Sequence, residues 1–74
     1  MTWDVELDTL GLLCPLPVLK ARKRLMSMES GEVLRMLADD PATMVDVPHF
    51  CFESSYELLS QEADGGQLLF LIQK

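Results

Sequence analysis

Cys14 is the residue of this chain best suited to chemistry, and it lies in the run Leu-Leu-Cys-Pro-Leu-Pro-Val at residues 12–18. Pro15, which follows it, fits the first position of a helix, where its missing N–H is not needed and its φ is already set. The sequence therefore predicts that the Cys14 thiol lies at a helix N-terminus, where free N–H groups and the helix dipole favour an anion. We expect a lowered pKa for this thiol, which makes Cys14 a nucleophile.

The second cysteine and the single histidine lie together in the run His49-Phe50-Cys51-Phe52. Cys51, between two aromatic residues, is interpreted as a packed or tolerated residue. The alternative is a resolving thiol for Cys14, which requires the two Cα atoms to come within about 7 Å. His49 is interpreted as structural or exposed, and the alternative is a role as base for the thiol.

Metal-ligand spacing is absent from the sequence, so we expect no metal and no cofactor. The five methionines are expected to fill the core rather than to bind copper. Asp39, Asp40 and Asp46 could bind a cation, but they lack the spacing of a calcium loop. Asp40 has another explanation, because an aspartate followed by Pro41 is a good N-cap for a helix.

Four of the six basic residues lie within five positions, on the helix that is expected to start beside the thiol. One interpretation is a solvated helix face, and the other is a basic patch that docks an acidic partner beside Cys14. The candidate docking residues are Lys20, Lys23 and Arg24. Arg22 falls on the apolar side of the helix, so we expect it to extend along the surface or to meet a carboxylate.

Hydrophobic periodicity predicts the elements that position these residues. In the first strand Trp3, Val5 and Leu7 alternate with acidic residues, which gives one apolar face. A helix of about fourteen residues follows from Pro15 and ends at the Ser30-Gly31 break. The residues on its apolar arc are Val18, Leu19, Ala21, Leu25, Met26 and Met28.

A mostly apolar second strand is predicted over residues 32–38. The second helix is predicted from Pro41 to about Val47. Pro48 is then expected to kink or restart the helix, so that a second short segment runs to about Ser54.

Residues 56–64 and 68–73 are predicted to form a hairpin, because they flank the turn signal Asp64-Gly65-Gly66. The residues predicted on one face of the first hairpin strand are Tyr56, Leu58 and Ser60. The element order is βαβαββ, and its first βαβ unit makes two strands parallel. We therefore predict a single domain over residues 1–74, an α/β two-layer sandwich with a four-stranded mixed sheet and two helices on one face.

Charge and cysteine content limit the classes of function. Twelve acidic against six basic residues leave a formal charge of −6, which disfavours direct binding to nucleic acid. The first residues lack the basic and apolar regions of a signal peptide, and no apolar run approaches the roughly 20 residues of a membrane span. Two cysteines are too few for a disulfide framework. We therefore expect a cytoplasmic protein with reduced thiols.

Segment 11–18, with its Cys-Pro-Leu-Pro sequence, resembles the CPxP signature of the TusA/SirA-like sulfur carrier family. The resemblance continues at residues 39–43, 46–51 and 62–65, so it spans nearly the whole chain. It implies the βαβαββ sandwich and a sulfur carrier in which Cys14 holds sulfane sulfur as a persulfide. The supporting motif residues are Pro15, Leu16 and Pro17.

The resemblance also implies protein partners, namely a cysteine desulfurase or rhodanese-like sulfur donor and a DsrE-type or other thiol acceptor. Family roles include tRNA thiolation, molybdenum cofactor supply and sulfur oxidation. This chain has Leu16 where the best-studied tRNA-thiolation members carry glutamate, so it lacks a negative charge beside the thiol. The resemblance implies a sulfurtransferase-type carrier rather than an enzyme with its own small-molecule substrate pocket. The alternative is a non-enzymatic redox-sensing or regulatory interaction module that uses Cys14.

Overall fold

The computed structural model describes residues 3–74, so the first two residues of the predicted domain lie outside the described residues. The order of elements is βαβαββ, as predicted. The elements are β1 (Val5–Asp8), α1 (Leu16–Met26), β2 (Val33–Ala38), α2 (Thr43–Ser54), β3 (Glu57–Asp64) and β4 (Gln67–Gln73). Neither α1 nor α2, the helices of this described part, is long and apolar enough to cross a membrane.

The four strands form one mixed sheet in the order β1-β2-β4-β3. β1 pairs with β2 in parallel, whereas β4 is antiparallel to both of its neighbours. The β3–β4 hairpin turns at Gly65 and Gly66, whose φ angles of 58° and 86° suit a turn that needs two left-handed residues. The predicted hairpin and the predicted parallel pair are both confirmed.

Both helices pack on the same face of this sheet, which confirms the predicted two-layer sandwich. Ala21 and Leu25 of α1, and Val47 and Cys51 of α2, are spaced four residues apart and are buried. They join one core with alternate residues of the two central strands. Those strand residues are Leu34, Met36, Ala38, Leu68, Phe70 and Ile72.

Helix α1 is shorter than predicted at both ends. Pro15 lies at the N-cap with φ of −99°, so the helix begins at Leu16 rather than at the proline. It ends at Met26, and the N–H of Ser27 donates to the Arg24 carbonyl in a tighter turn. Leu19 is half exposed and Met26 is 66% exposed, so the predicted apolar arc was too wide.

Helix α2 also differs from its prediction. It begins at Thr43 rather than at Pro41, and it continues through Pro48 to Ser54 as one helix. The predicted restart at Pro48 is therefore wrong. Packing explains the continuity, because Val47 and Cys51, on either side of the proline, are both held in the core.

The second face of the sheet is open, and two residues lie on it against prediction: Trp3, predicted for the apolar face of the first strand, and Ser60, predicted on the same face as Tyr56 and Leu58. Trp3 precedes β1, and the Arg35 guanidinium lies 4.5 Å from the centre of its ring. Arg35 also pairs with Glu6 at 3.1 Å. Ser60 lines the same open face because β3 has a register shift between Leu58 and Ser60, which reverses the predicted alternation.

The two ends of the sheet carry different parts of the chain. The parallel strands β1 and β2 have their carboxyl ends at the same end of the sheet, and the loops 9–15 and 39–42 follow them there. At the opposite edge the Asp4 N–H donates to Val33, and Lys74 exchanges backbone hydrogen bonds with Gly31 and Glu32. The ends of the described chain therefore lie away from the loop that contains Cys14.

Candidate functional site

Two consecutive aspartates after β2 fasten the loop that carries Cys14. The Asp39 carboxylate accepts the Gly11 N–H, with both oxygens at 3.1 Å. The Asp40 carboxylate accepts the Cys14 N–H at 2.7 Å. Gly11 has φ of 81°, a conformation that other residues rarely adopt. The parallel pairing of β1 with β2 brings these loops together, because both strands end at the same edge.

Asp40 also orders the start of α2. Its second carboxylate oxygen accepts the Ala42 N–H at 3.0 Å, and its carbonyl accepts both the N–H and the hydroxyl of the buried Thr43. The Ala42 and Cys14 N–H groups hold the pKa of Asp40 below its usual value. Asp40 therefore caps the turn before α2 and connects it to the thiol loop, whereas the helix N-cap itself is Ala42.

The Cys14 thiol is exposed and donates a hydrogen bond to the Asp46 carboxylate, with 2.9 Å between sulfur and oxygen. This bond raises the pKa of Cys14 above its ordinary value, with smaller contributions from partial desolvation and from the charges of Asp46 and Asp40. The predicted lowering of the pKa is therefore contradicted.

The first turn of α1 explains why the helix start does not favour the thiolate. Pro15 and Pro17 have no N–H to offer a negative sulfur. The N–H of Leu16, which lies between them, donates to the Leu13 carbonyl at 2.9 Å. The prolines that suggested a helix start thus also remove the donors that a thiolate needs there.

The thiol opens onto a groove of about 450 Å³ between α1 and α2, which we call the thiol groove. Its lining residues are Cys14, Pro15, Val18, Arg22, Asp46, His49, Phe50, Glu53 and Ser54. His49 lies in this groove, but its Nε2 is 3.2 Å from Glu53. The acceptor next to the Cys14 sulfur is Asp46, so the contact suggested for His49 is made by a carboxylate instead.

The remaining motif residues have different environments. Leu16 is 46% exposed and Leu13 is 70% exposed, so the thiol lies between two accessible leucines. Pro17, in the first turn of α1, is buried, whereas Pro15 is exposed on the wall of the thiol groove.

The basic residues of α1 divide between two surfaces. Lys20, Lys23 and Arg24 line a separate groove with Leu7 and Ser27. Arg22 is exposed and lines the thiol groove, which Asp46 and Glu53 also line. The structure therefore places Arg22 beside the thiol and the three predicted docking residues on another part of the helix surface.

Cys51 is packed in the core, as the interpretation from its aromatic neighbours predicts. It is 2% exposed, and burial raises its pKa to about 11. Within residues 3–74 no group of three or more His, Cys, Asp or Glu side chains is arranged to hold a metal ion. Asp39, Asp40 and Asp46, which were considered for a cation, instead accept the hydrogen bonds described above.

Sequence reasoning missed Asp46 and Arg22 as neighbours of the thiol. A signal for Asp46 was present, because residues 46, 49, 50 and 53 repeat at the spacing of one helix face. That face is the α2 wall of the thiol groove. The signal was hidden by the expected break at Pro48, which would have separated Asp46 from His49.

Fold and site together define a small two-layer α/β domain with one accessible cysteine at the start of its first helix. The chain belongs to the TusA sulfurtransferase family, because the model of that family, described as sulfurtransferase TusA, matches residues 5–74. The chain is also similar to a SirA-like protein from Desulfitobacterium hafniense, with 28% identity and a TM-score of 0.83. That match covers 95% of this chain and 96% of the other. Family membership supports a sulfur carrier role in general.

Proposed function

We propose that this protein carries sulfane sulfur on Cys14 as a persulfide and passes it from a donor protein to an acceptor protein. The observation that carries the proposal is the exposed Cys14 thiol in a chain whose family model covers residues 5–74. The donor is a cysteine desulfurase or a rhodanese-like protein, and the acceptor is a DsrE-type or other thiol protein. The pathway served is tRNA thiolation, molybdenum cofactor supply or sulfur oxidation.

The transfer follows the chemistry of thiol–disulfide exchange. Cys14 loses its proton, and its sulfur attacks the outer sulfur of the donor's cysteine persulfide. A sulfur–sulfur bond forms at Cys14, the sulfur–sulfur bond of the donor breaks, and the donor thiolate leaves and takes up a proton. The acceptor thiolate then attacks the outer sulfur of the Cys14 persulfide in the same way. Neither step changes the total number of electrons, so no oxidant, reductant or metal is required.

The surroundings of Cys14 suit a protein partner. The thiol lies at the end of an open groove and is flanked in sequence by the exposed Leu13 and Leu16. Exposed apolar side chains around a reactive atom are typical of a surface that another protein covers. Leu16, two residues after Cys14, adds exposed apolar surface that bears on which partner docks.

Docking by the basic residues of α1 is a separate part of the proposal. Lys20, Lys23 and Arg24 present positive charge on a chain of net charge −6, and they steer an acidic partner towards the same helix. Changing all three to glutamate is expected to slow loading and to reduce its salt dependence, whereas Arg22→Glu tests the wall of the thiol groove by itself. Unchanged loading in the triple variant would show that these residues do not dock the partner.

The redox-sensing alternative is less well supported. A sensor cysteine must react with small oxidants by itself and so needs thiolate character in the free protein, which the hydrogen bond to Asp46 opposes. A carrier needs the thiolate only while a docked partner covers that carboxylate. A reduced thiol that reacts only with a partner suits the reducing cytoplasm, where we propose that the protein works.

Sulfur loading tests the main proposal. The protein is incubated with a cysteine desulfurase and cysteine, or with a persulfidated rhodanese-like donor, and is weighed by intact mass spectrometry and peptide mapping. We expect the mass of one sulfur atom on Cys14 and none on the Cys14→Ser variant. Cys51→Ala is the matched control, because it removes the other thiol and should load normally. Equal loading of Cys14→Ser, or no loading by either donor, would refute the proposal.

A further inference from the structure

The contact between Cys14 and Asp46 joins two parts of the chain that are distant in sequence. The Cys14 thiol donates a hydrogen bond to the Asp46 carboxylate, with 2.9 Å between sulfur and oxygen, and the two residues are 32 positions apart in sequence. Asp46 lies in the first turn of α2, and its own N–H donates to Ala42 at 2.9 Å, so the helix backbone fixes its position. Val47, the next residue, is fully buried and prevents rotation of this face of α2 away from the thiol.

A carboxylate at this distance affects the two forms of the thiol in opposite ways. It accepts a hydrogen bond from the neutral thiol, and it repels a negative sulfur. The charged and titratable groups that line the groove or act on the sulfur come from three elements. They are Asp40 from the loop after β2, Arg22 from α1, and Asp46, His49 and Glu53 from α2. Of these, Asp46 is the group bonded to the sulfur, while His49 and Glu53 are paired with each other.

We propose that Asp46 is the residue that selects the sulfur donor: it holds Cys14 as a neutral thiol in the free protein, and it favours an electrophilic sulfur that arrives with a positive charge beside it. The inference rests on the proposed function, because it concerns how Cys14 meets its donor. The Asp46 carboxylate attracts a cationic group that approaches the sulfur. The cation in turn competes with the thiol for the carboxylate and weakens the hydrogen bond between Cys14 and Asp46. Neutral and anionic electrophiles gain no such attraction. The free carrier is therefore protected from adventitious reagents.

Disulfide exchange with small charged reagents tests this selection without any sulfur donor. The probes are cystamine, which is cationic, bis(2-hydroxyethyl) disulfide, which is neutral, and dithiodiglycolate, which is anionic. In each reaction Cys14 forms a mixed disulfide and one half of the reagent leaves as a thiol, so atoms and electrons balance. The wild-type protein should react fastest with the cationic probe and slowest with the anionic probe, after correction for the rates of the same reagents with free cysteine.

Removing the carboxylate should remove that preference. In Asp46→Asn we expect the ratio of cationic to neutral rates to fall about fivefold, the size of one interaction between unit charges about 4 Å apart in water. Alkylation by iodoacetamide, which is neutral, should become faster at neutral pH. Asp46→Glu keeps the charge and should restore part of the preference. Glu53→Gln removes a carboxylate from the same groove, where it pairs with His49, and should reduce the preference less than Asp46→Asn does. Glu62→Gln removes an exposed carboxylate from the open face of the sheet and should behave like the wild type in both measurements.

The outcomes separate this inference from the proposed function. If Asp46→Asn keeps the wild-type order of rates and the wild-type alkylation profile, the selection by Asp46 is refuted, whatever the protein carries. If Glu53→Gln loses the preference as fully as Asp46→Asn, the effect belongs to the general charge of the groove and the role of Asp46 is again refuted. Failure of Cys14 to accept sulfur would refute the carrier proposal and leave these rates unaffected.

Discussion

Replacing Val47 by alanine tests which face of α2 packs on the sheet, and so tests the placement of Asp46. Val47 is fully buried, whereas Val45, two residues earlier on the same helix, is 71% exposed. The two substitutions remove the same atoms from the same helix. Alanine has the higher helix propensity at both positions, so that gain cancels when the two variants are compared.

The magnitude follows from burial. One buried methylene, as in Ile→Val, contributes about 0.5–1.5 kcal/mol, so the two carbons lost in Val47→Ala correspond to about 1–3 kcal/mol of unfolding free energy. For a domain of this size each kcal/mol lowers the melting temperature by about 4–8 °C, so a central value of about 2 kcal/mol lowers it by about 8–16 °C. Val45→Ala should stay within about 0.5 kcal/mol of the wild type, as exposed substitutions do.

Urea unfolding followed by circular dichroism measures both variants, and the midpoints can be compared directly if the denaturant slopes agree. Val47→Ala should unfold at lower urea than Val45→Ala. If the two midpoints coincide, or if Val45→Ala is the less stable variant, α2 presents a different face to the core. The contact between Asp46 and Cys14 would then also be wrong, because it depends on the same helix rotation.

Two further predictions concern Cys51 and Asp40. In the folded protein at mildly alkaline pH, iodoacetamide should modify Cys14 and spare Cys51, because Cys51 is 2% exposed and has a pKa of about 11; peptide mapping before and after denaturation checks this, and equal native rates would contradict it. The pKa of Asp40 is lowered in the folded state, so ionised Asp40 stabilises the protein at pH values above its ordinary pKa of 3.8. That stabilisation is lost as the pH falls through the pKa of the folded state. The difference in urea midpoint between the wild type and Asp40→Asn should therefore be largest near neutral pH and should shrink in acid; a constant difference would contradict this origin.

Local patterns were sufficient for most of the fold. The alternation at Val5 and Leu7 and the glycine pair at the hairpin predicted their elements, because both signals depend on neighbours in sequence. The wrong predictions concern features that tertiary packing determines, namely the continuity of a helix and the register of a strand. Helix α2, held by the core, continues through Pro48, and a register shift in β3 places Ser60 on the open face. Neither outcome has a signal in the surrounding residues.

For the candidate site too, local sequence predicted one part and not the other. Cys14 could be found from its sequence neighbours, because the cysteine–proline pair marks the start of a helix and that helix begins two residues later. The chemical environment of Cys14 could not be predicted from those neighbours, because Asp40 and Asp46 belong to a segment that is distant in sequence. The shift in the pKa of Cys14 is opposite to the expected one because the motif shows the helix start but not the carboxylate that faces it.

The two ends of the sheet give this small domain a front and a back. Cys14 lies at the edge where β1 and β2 end, whereas Asp4 and Lys74 are held at the opposite edge by hydrogen bonds to the start of β2. A segment that leaves the domain at Asp4 or at Lys74 therefore starts on the side away from the sulfur. Attachment at Asp4 or Lys74 therefore leaves the thiol accessible. Protein immobilised there should still undergo disulfide exchange at Cys14.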